Sequence, residues 1–428
     1  MWEVLKIIAI PVDPYKKMNK HTSKITTKSI EQSGLPNDYK KALAEYIWNG
    51  FDAGATKIHL DFDANELGHL ASFSITDNGT GIDIETIDET FGNFLDSKKR
   101  ESAYTDGFQK GRKGKGRYAF STFANSCSWL TTFEGPDGKL LRYSITINKG
   151  DLQNFIIADT VIVKNVSTGT VVNFQNFIDL SANLLSNKEF EDYLSGEFGW
   201  FLFLNRERGC KIFINGAELA YEKIIGDTEE VRYEIGDYHF RAIFIRWNQK
   251  IGDRYYFYFL GKNQKEAGKK HTSFNNKAID FHHSVYVESP FFDNFHETIE
   301  DDPVLEFSGK NQAHPSYKAL LKALNALVSD KEKQFIRGVQ ADRLIGDYHD
   351  RGIFPPPDRK ANDLETVVKE IYCAEPRIFQ SSNSQQSKTL VGLLNLLLAT
   401  NNGHNIVEVI ESFTALTDEE REGLAEVL

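Results

Sequence analysis

Two hydrophobic rhythms run along the first part of the chain. Over residues 37–52, apolar Ala42, Leu43, Tyr46 and Ile47 recur at helical spacing, which predicts a helix. Pro36 stands just outside it, and Asn37 or Asp38 can cap it, because a short side-chain oxygen accepts a free first-turn N–H. The rhythm then changes to two. Ile58, Leu60 and Phe62 alternate with Lys57, His59 and Asp61, and Ala71, Phe73 and Ile75 alternate with Ser72, Ser74 and Thr76. This predicts two strands, each with one face inward. More strands are expected near 127–133, 140–147, 156–163 and 169–174, then at 211–214, 238–247, 254–260 and 284–287, with a helix over 315–339.

The same pattern sets the expected domains. Residues 1–36, polar and basic with Lys16, Lys17, Lys20, Lys24 and Lys28, read as an N-terminal arm. A mixed unit follows at 37–189 and a strand-rich one at 190–345. Residues 346–363 carry Pro355-Pro356-Pro357 and many charges, and read as a linker, since consecutive prolines cannot continue a helix. The segment 364–428 reads as helical, with Leu390, Leu393, Leu394, Leu397 and Leu398 at helical spacing. Its last stretch looks like a capped helix start running into Leu428, so a longer natural chain is expected.

Composition narrows the class. With 428 residues, two or three domains can each bury a core. A net charge of −11 excludes a general nucleic-acid coat, so any such contact must be local. Lys262, Lys265, Lys269 and Lys270 form one local basic cluster, read as a solvated loop. Cys127, Cys210 and Cys373 form no CxxC pair, which fits a reducing compartment and gives no zinc pattern. The mildly apolar start is broken by Glu3 and Lys6, and no run approaches a membrane span, so a cytoplasmic protein is expected. His271, His282, His283 and His296, with Glu297 and Glu300, match no metal frame and read as surface or packing residues.

Three local features carry possible chemistry. Glu45, Asn49 and Asp52 are spaced by four and three residues, which puts them on one helix face. That face is either a solvated stripe or a site where Glu45 acts as base on water and Asn49 offers an oxygen to Mg2+. Asp77-Asn78-Gly79-Thr80-Gly81 follows a strand. It is either an Asn-Gly hairpin turn or a carboxylate placed to accept a bond from an amino group such as that of adenine. Gly111-Arg112-Lys113-Gly114-Lys115-Gly116-Arg117 precedes an expected helix start. It is either a phosphate cradle or a basic surface loop, and it fits neither the Rossmann nor the Walker A pattern.

The order of these features is more specific than any one of them. Glu45-x-x-x-Asn49-x-x-Asp52-Ala53, then Asp77-x-Gly79-x-Gly81, then Gly111-x-x-Gly114-x-Gly116 resembles the three nucleotide motifs of the GHKL superfamily of gyrase, Hsp90, histidine kinases and MutL. Gly169-Thr170-Val171-Val172 resembles the fourth. The resemblance implies an α/β chain: a two-layer Bergerat-fold sandwich, then an S5-like α/β transducer domain and a helical tail. It implies ATP and Mg2+ as cofactors. Glu45 would be the general base and Asn49 the Mg2+ ligand. Asp77 would bind the adenine amine with Thr170 assisting, Gly79 and Gly81 would floor the base pocket, and Gly111, Gly114 and Gly116 would wrap the phosphates. Asp52 would support the pocket from behind. Lys250, between two strong strands, would be the transducer side chain that reaches the nucleotide.

The loop and the strand-rich second unit are most similar to the Hsp90-like and MORC-like branches. MutL proteins carry a GFRGEAL-like loop where this chain has Gly114-Lys115-Gly116-Arg117-Tyr118. The helical tail resembles the segment that precedes Shedu-type nuclease domains in bacterial anti-phage proteins. The implied activity is an ATP-gated clamp that dimerises with nucleotide and controls DNA or a nuclease effector. The alternatives are an Hsp90-like chaperone and a nucleotide-sensing scaffold with negligible turnover. Residues 92–117, rich in glycine and positive charge, are expected to form a lid that orders on the triphosphate.

Overall fold

The computed structural model describes residues 26–66, 69–91, 115–252, 254–264, 266–274, 279–296, 310–356, 361–380 and 383–399, with Glu408 and Arg421. The first long helix, α1 (Tyr39–Asp52), is capped by Asp38, whose carboxylate accepts the Lys40 N–H at 2.9 Å. Its apolar face lies on a sheet built from β1 (Lys57–Ala64), β2 (Leu70–Asp77), β3 (Ala124–Glu134), β4 (Leu140–Asn148), β5 (Ile156–Ile157), β6 (Val161–Val163), β7 (Gly169–Phe177), β8 (Lys211–Ile214) and β9 (Ala217–Glu218). The order is β5-β4-β3-β7-β2-β1-β8-β9, with β6 also paired to β4. Ile58, Leu60 and Phe62 turn inward as their alternation requires. The stretch expected as one strand over 156–163 forms two short edge strands instead.

A second helix, α2 (Lys188–Leu204), lies parallel to α1. Lys40 meets Glu189 near their N-terminal ends, and Phe51 meets Phe201 near their C-terminal ends. Between them Trp48 packs on Phe198 (ring centroids 4.7 Å apart) and Phe201 (5.3 Å), while its indole N–H donates to Glu197 at 2.9 Å. Burying rings of this size contributes about 1.5–3 kcal/mol each. The short helix Thr27–Glu31 also docks here: Ile30 enters the core and the Thr27 N–H donates to Gln153. Residues 1–25 of the expected arm lie outside the described residues.

The boundary expected at 189/190 therefore shifts. β8 pairs in parallel with β1, Lys57 opposite Lys211 through Leu60 opposite Ile214, so α2, β8 and β9 complete the first domain. The physical reason is that the outer edge of β1 and the aromatic face of α1 both need partners.

The second domain is a five-stranded sheet of β10 (Ile225–Ile235), β11 (Tyr238–Trp247), β12 (Tyr256–Leu260), β13 (Glu266–His271) and β14 (His283–Glu288), in the order β10-β11-β14-β12-β13. Only the β12–β14 pair is parallel. The short strands β15 (Phe295–His296) and β16 (Lys310–Asn311) pair beside it. Helix α3 (Pro315–Phe335) covers one face and leads through a π turn into α4 (Ala341–Asp350). Two further helices, α5 (Ala361–Ala374) and α6 (Ser384–Ala399), follow.

Two more expectations change here. Helix α4 runs through part of the expected 346–363 linker, leaving only a short Pro-bearing connection. The 364–428 segment is not separate over its described part, because Leu364, Val367, Ile371, Val391 and Leu394 join Phe240, Phe259 and Leu320 in one core. No helix among the described residues is long and apolar enough to cross a membrane.

The two domains meet in a small core of their own, where Leu204 and Ile224 pack with Ile243, Ile245, Trp247, Tyr258 and Tyr286. Trp200 of α2 stacks on Tyr286 with ring centroids 5.1 Å apart and planes 6° from parallel.

Candidate functional site

The polar stripe of α1 meets the glycine segment directly. A Cβ on Gly116 would stand 2.8 Å from Oε2 of Glu45 and 3.7 Å from Nδ2 of Asn49. A side chain at this position would push the Glu45 carboxylate aside, which glycine does not. Glu45 is half-buried and Asn49 exposed, so the stripe faces an opening above a packed helix. The glycine opens a 3-10 turn, Gly116–Thr122, where a helix start was expected. Tyr46 anchors that turn from below: its hydroxyl accepts the Phe120 N–H at 2.9 Å and donates to the Arg117 carbonyl at 3.1 Å. Burial pushes the Tyr46 phenol well above its ordinary value, so it stays a neutral donor. Lys115 reaches the Ser33 carbonyl, and Thr122 donates to the Pro36 carbonyl at 2.6 Å. Gly111, Gly114 and the rest of the expected lid, 92–114, lie outside the described residues.

The Asp77 turn sits just beyond the stripe, at the C-terminal end of α1. Gly50 makes this possible, since a Cβ there would stand 3.0 Å from Cβ of Asp77. Asp77 accepts the Gly79 N–H at 2.8 Å. Burial raises the Asp77 carboxyl above its ordinary value, and the backbone N–H groups of Gly79 and Thr170 partly hold it down. Asn78 accepts the N–H groups of Thr56 (2.9 Å) and Lys57 (2.8 Å), and Thr80 donates to the Ala53 carbonyl at 3.0 Å. The segment is thus no hairpin turn: it straps the end of β2 to the end of α1. Gly81 has φ 77°, and a Cβ on it would run into the Thr132 carbonyl. Across the sheet Asp77 pairs with Thr170 on β7, and Thr170 with Thr131 on β3. The two hydroxyl oxygens lie 3.1 Å apart, and both threonines are buried.

Sequence reasoning missed Gly50, Asn78, Tyr46 and Thr131. A glycine inside an otherwise good helix was the one signal available, for Gly50.

Asp52 faces elsewhere. With Phe51 and Arg208 it lines a cavity of about 690 Å³ whose opposite wall includes Lys262, Gln264 and Glu288 of the second domain. A chain of hydrogen bonds crosses the joint beside it. Fully buried Asn205 donates to Gln264 at 2.6 Å, Gln264 donates to Glu288 at 2.9 Å, and Arg241 donates to Glu288 at 2.9 Å. Gln264 holds φ 60°, a left-handed conformation that costs a non-glycine residue about 1 kcal/mol or more.

Lys250 is exposed in the loop before β12. Parallel strands β12 and β14 both end at the cavity, at Leu260 and Glu288, whereas Lys250 precedes β12 and lies near His282, which precedes β14. Asn248 pins its loop to the carbonyls of Lys223 and Ile225. Gly199 of α2 faces Ile224 there, while Phe198 and Phe201 face α1. The loop therefore lies across α2 from the stripe, and the basic residue that the cavity brings toward α1 is Lys262.

Two of the histidines, His282 and His283, have ordinary partners, and Glu297 and Glu300 lie outside the described residues. His282 bonds with the Tyr255 hydroxyl at 2.8 Å, and buried His283 bonds to Phe281 O and Thr272 Oγ1, with burial lowering it to about 4. Among the described residues no cluster of three or more His, Cys, Asp or Glu could hold a metal ion.

Residues 37–176 match the family model described as histidine kinase-, DNA gyrase B-, and HSP90-like ATPase. No curated protein matches the chain. Among solved structures, the chain is similar to the Aquifex aeolicus MutL ATPase domain complexed with ADP, at 17% identity over 59% of this chain and 92% of that one, with a TM-score of 0.32. It is also similar to the ATPase region of Saccharomyces cerevisiae topoisomerase II, at 14% identity over 58% of this chain and 72% of that one, with a TM-score of 0.35. The family match spans the Glu45–Asn49 stripe, the Asp77 turn, Gly116 and Thr170, and residues 37–176 of the first domain carry the GHKL fold.

Proposed function

We propose that the protein is a nucleotide-driven switch that binds ATP with Mg2+ across the α1 face and hydrolyses it. The observation that supports this best is the close approach of the Gly116 backbone to the Glu45–Asn49 stripe, where an added Cβ would stand 2.8 Å from the Glu45 carboxylate, so that two motifs from distant parts of the chain lie side by side. Glu45 is the general base: half-buried, and beside Gly116, the described glycine of the phosphate motif. Asn49 offers an exposed amide oxygen. That fits Mg2+, a hard cation that keeps several waters and takes the rest of its shell from phosphate, so one protein oxygen suffices. Asp77 accepts the adenine amine, with Thr170 beside it, and Gly79 and Gly81 give the base a flat floor. The output is a change across the joint, carried by α2, Asn205 and Gln264 into the second domain. Nucleotide-dependent pairing of two copies and control of a DNA-directed effector in anti-phage defence complete the reading. That last step rests on the leucine pattern of the tail alone, and chaperone action is the competing output.

The test is ATP turnover of the full chain, with and without DNA, for the wild type and Glu45→Ala. The variant is expected to bind ATP as before and to lose about 10²–10⁴-fold in turnover, the usual contribution of a general base. Near-normal turnover in Glu45→Ala would remove Glu45 from the role. Stimulation by unfolded protein rather than DNA would favour the chaperone output.

A further inference from the structure

We infer that Thr131 sets the base specificity of the pocket by fixing the direction of the Thr170 hydroxyl proton. The inference rests on the reading of Asp77 and Thr170 as the base site.

Thr131, Thr170 and Asp77 stand in one row across three adjacent strands, β3, β7 and β2, all on the face toward α1. Thr131 is fully buried and Thr170 nearly so, so water is not at hand and their hydroxyls must bond within the row. The oxygen of Thr131 already accepts the Ile82 N–H at 2.8 Å. Its own proton has two acceptors in reach: Oγ1 of Thr170 at 3.1 Å and the Gly169 carbonyl at 3.5 Å. Either hydroxyl can donate across the 3.1 Å, and we assign the Thr131 proton to Thr170 Oγ1 because the Gly169 carbonyl stands at the far limit of a hydrogen bond. Thr170 Oγ1, once it accepts, turns its own proton the other way, toward the end of the row where Asp77 stands.

The base site then presents a donor beside an acceptor: the Thr170 O–H next to the Asp77 carboxylate. Adenine carries the matching pair, a ring nitrogen that accepts next to an amine that donates. Guanine carries the reverse at the same two positions, a ring N–H next to a carbonyl oxygen. Its N–H would meet the Thr170 proton and its carbonyl the carboxylate. Asp77 rejects the carbonyl on its own. Thr131 adds the second half of the discrimination, because without its proton the Thr170 hydroxyl is free to turn round and accept from guanine.

Equilibrium binding of ATP and of GTP, each with Mg2+, to the full chain tests this. Wild type is expected to prefer ATP, and Thr131→Ser, which keeps the hydroxyl, to keep the same ratio. Thr131→Val should lower the ATP-to-GTP affinity ratio about tenfold, the size of one neutral hydrogen bond. Packing damage alone would weaken both nucleotides alike and leave the ratio untouched. Thr170→Val gives an independent reading should Thr131→Val fold poorly, and it should lower the ratio by a similar factor. An unchanged ratio in folded Thr131→Val, with wild type preferring ATP and Thr170→Val lowering the ratio, overturns the inference and leaves the site reading standing; an unchanged ratio in Thr170→Val removes Thr170 from the base site and overturns the inference with it. Wild type that binds neither nucleotide overturns both.

Discussion

Replacing Gly50 by alanine sets two effects of opposite sign against each other. Gly50 lies inside α1, where alanine in place of glycine favours the helix by about 1 kcal/mol. The added methyl would stand 2.5 Å from Cδ1 of Ile58 and 3.0 Å from Cβ of Asp77. Ile58 is wholly buried on β1, in an interior packed too densely for its end carbon to swing aside freely. Cβ of Asp77 is attached to the β2 backbone and cannot move without it. Overpacking of this kind costs about 1–3 kcal/mol, so strain outweighs the helix gain and a net loss of up to about 2 kcal/mol is expected. Relief comes from β2 drawing back from α1, which takes the Asp77 carboxylate with it. ATP affinity should then fall by tenfold or more, because hydrogen bonds to a charged group contribute about 1.5–3 kcal/mol. Urea unfolding followed by tryptophan fluorescence, with calorimetric titration of ATP, measures both. If Gly50→Ala is as stable as wild type and binds ATP equally well, the close approach of α1 to β2 is not what positions Asp77.

Two further outcomes are expected. Burial raises the Asp77 carboxyl, so its contribution to stability is fully present below its unfolded value, near 4, and is lost as pH rises through the higher folded value. Asp77→Asn should therefore bind ATP poorly yet gain relative stability at neutral pH, an advantage that shrinks toward pH 4. Unfolding at the two pH values checks the sign, and an advantage that grows on acidification would contradict it. Lys250→Ala should leave ATP turnover unchanged, since Lys250 lies across α2 from the stripe, and a large loss in that variant would return it to the site.

Much of the site was legible because its parts are local. The spacing of Glu45, Asn49 and Asp52 is a property of one helix, and the Asp77 and Gly116 segments each carry their glycines within a few residues. What was not legible depends on pairings between distant strands. Nothing in the four residues of β8 says that their partner is β1, and parallel partners are always far apart in sequence. That is why the domain boundary was set too early. Thr131 was missed for the same reason, since only the β3–β7 register puts it next to Thr170. Lys250 was chosen for standing between two strong strands, but strand strength does not say on which side of α2 the connecting loop lies. Asp52 shares a face with Asn49 by angle, yet one turn along the axis carries it to the domain joint.

The pairing of β8 with β1 also orders events in time. On the ribosome, Lys57–Ala64 emerges long before Lys211–Ile214. At about 5–20 residues per second, the roughly 150 residues between them take on the order of 10 s to synthesise. Through that interval the outer edge of β1 offers bare backbone groups, and Trp48 and Phe51 await Phe198 and Phe201. A bare strand edge beside uncovered rings is a template for unwanted association. A fragment cut at residue 176, where the family match ends, would keep that template for good. The shortest piece that closes its own sheet must extend through Glu218.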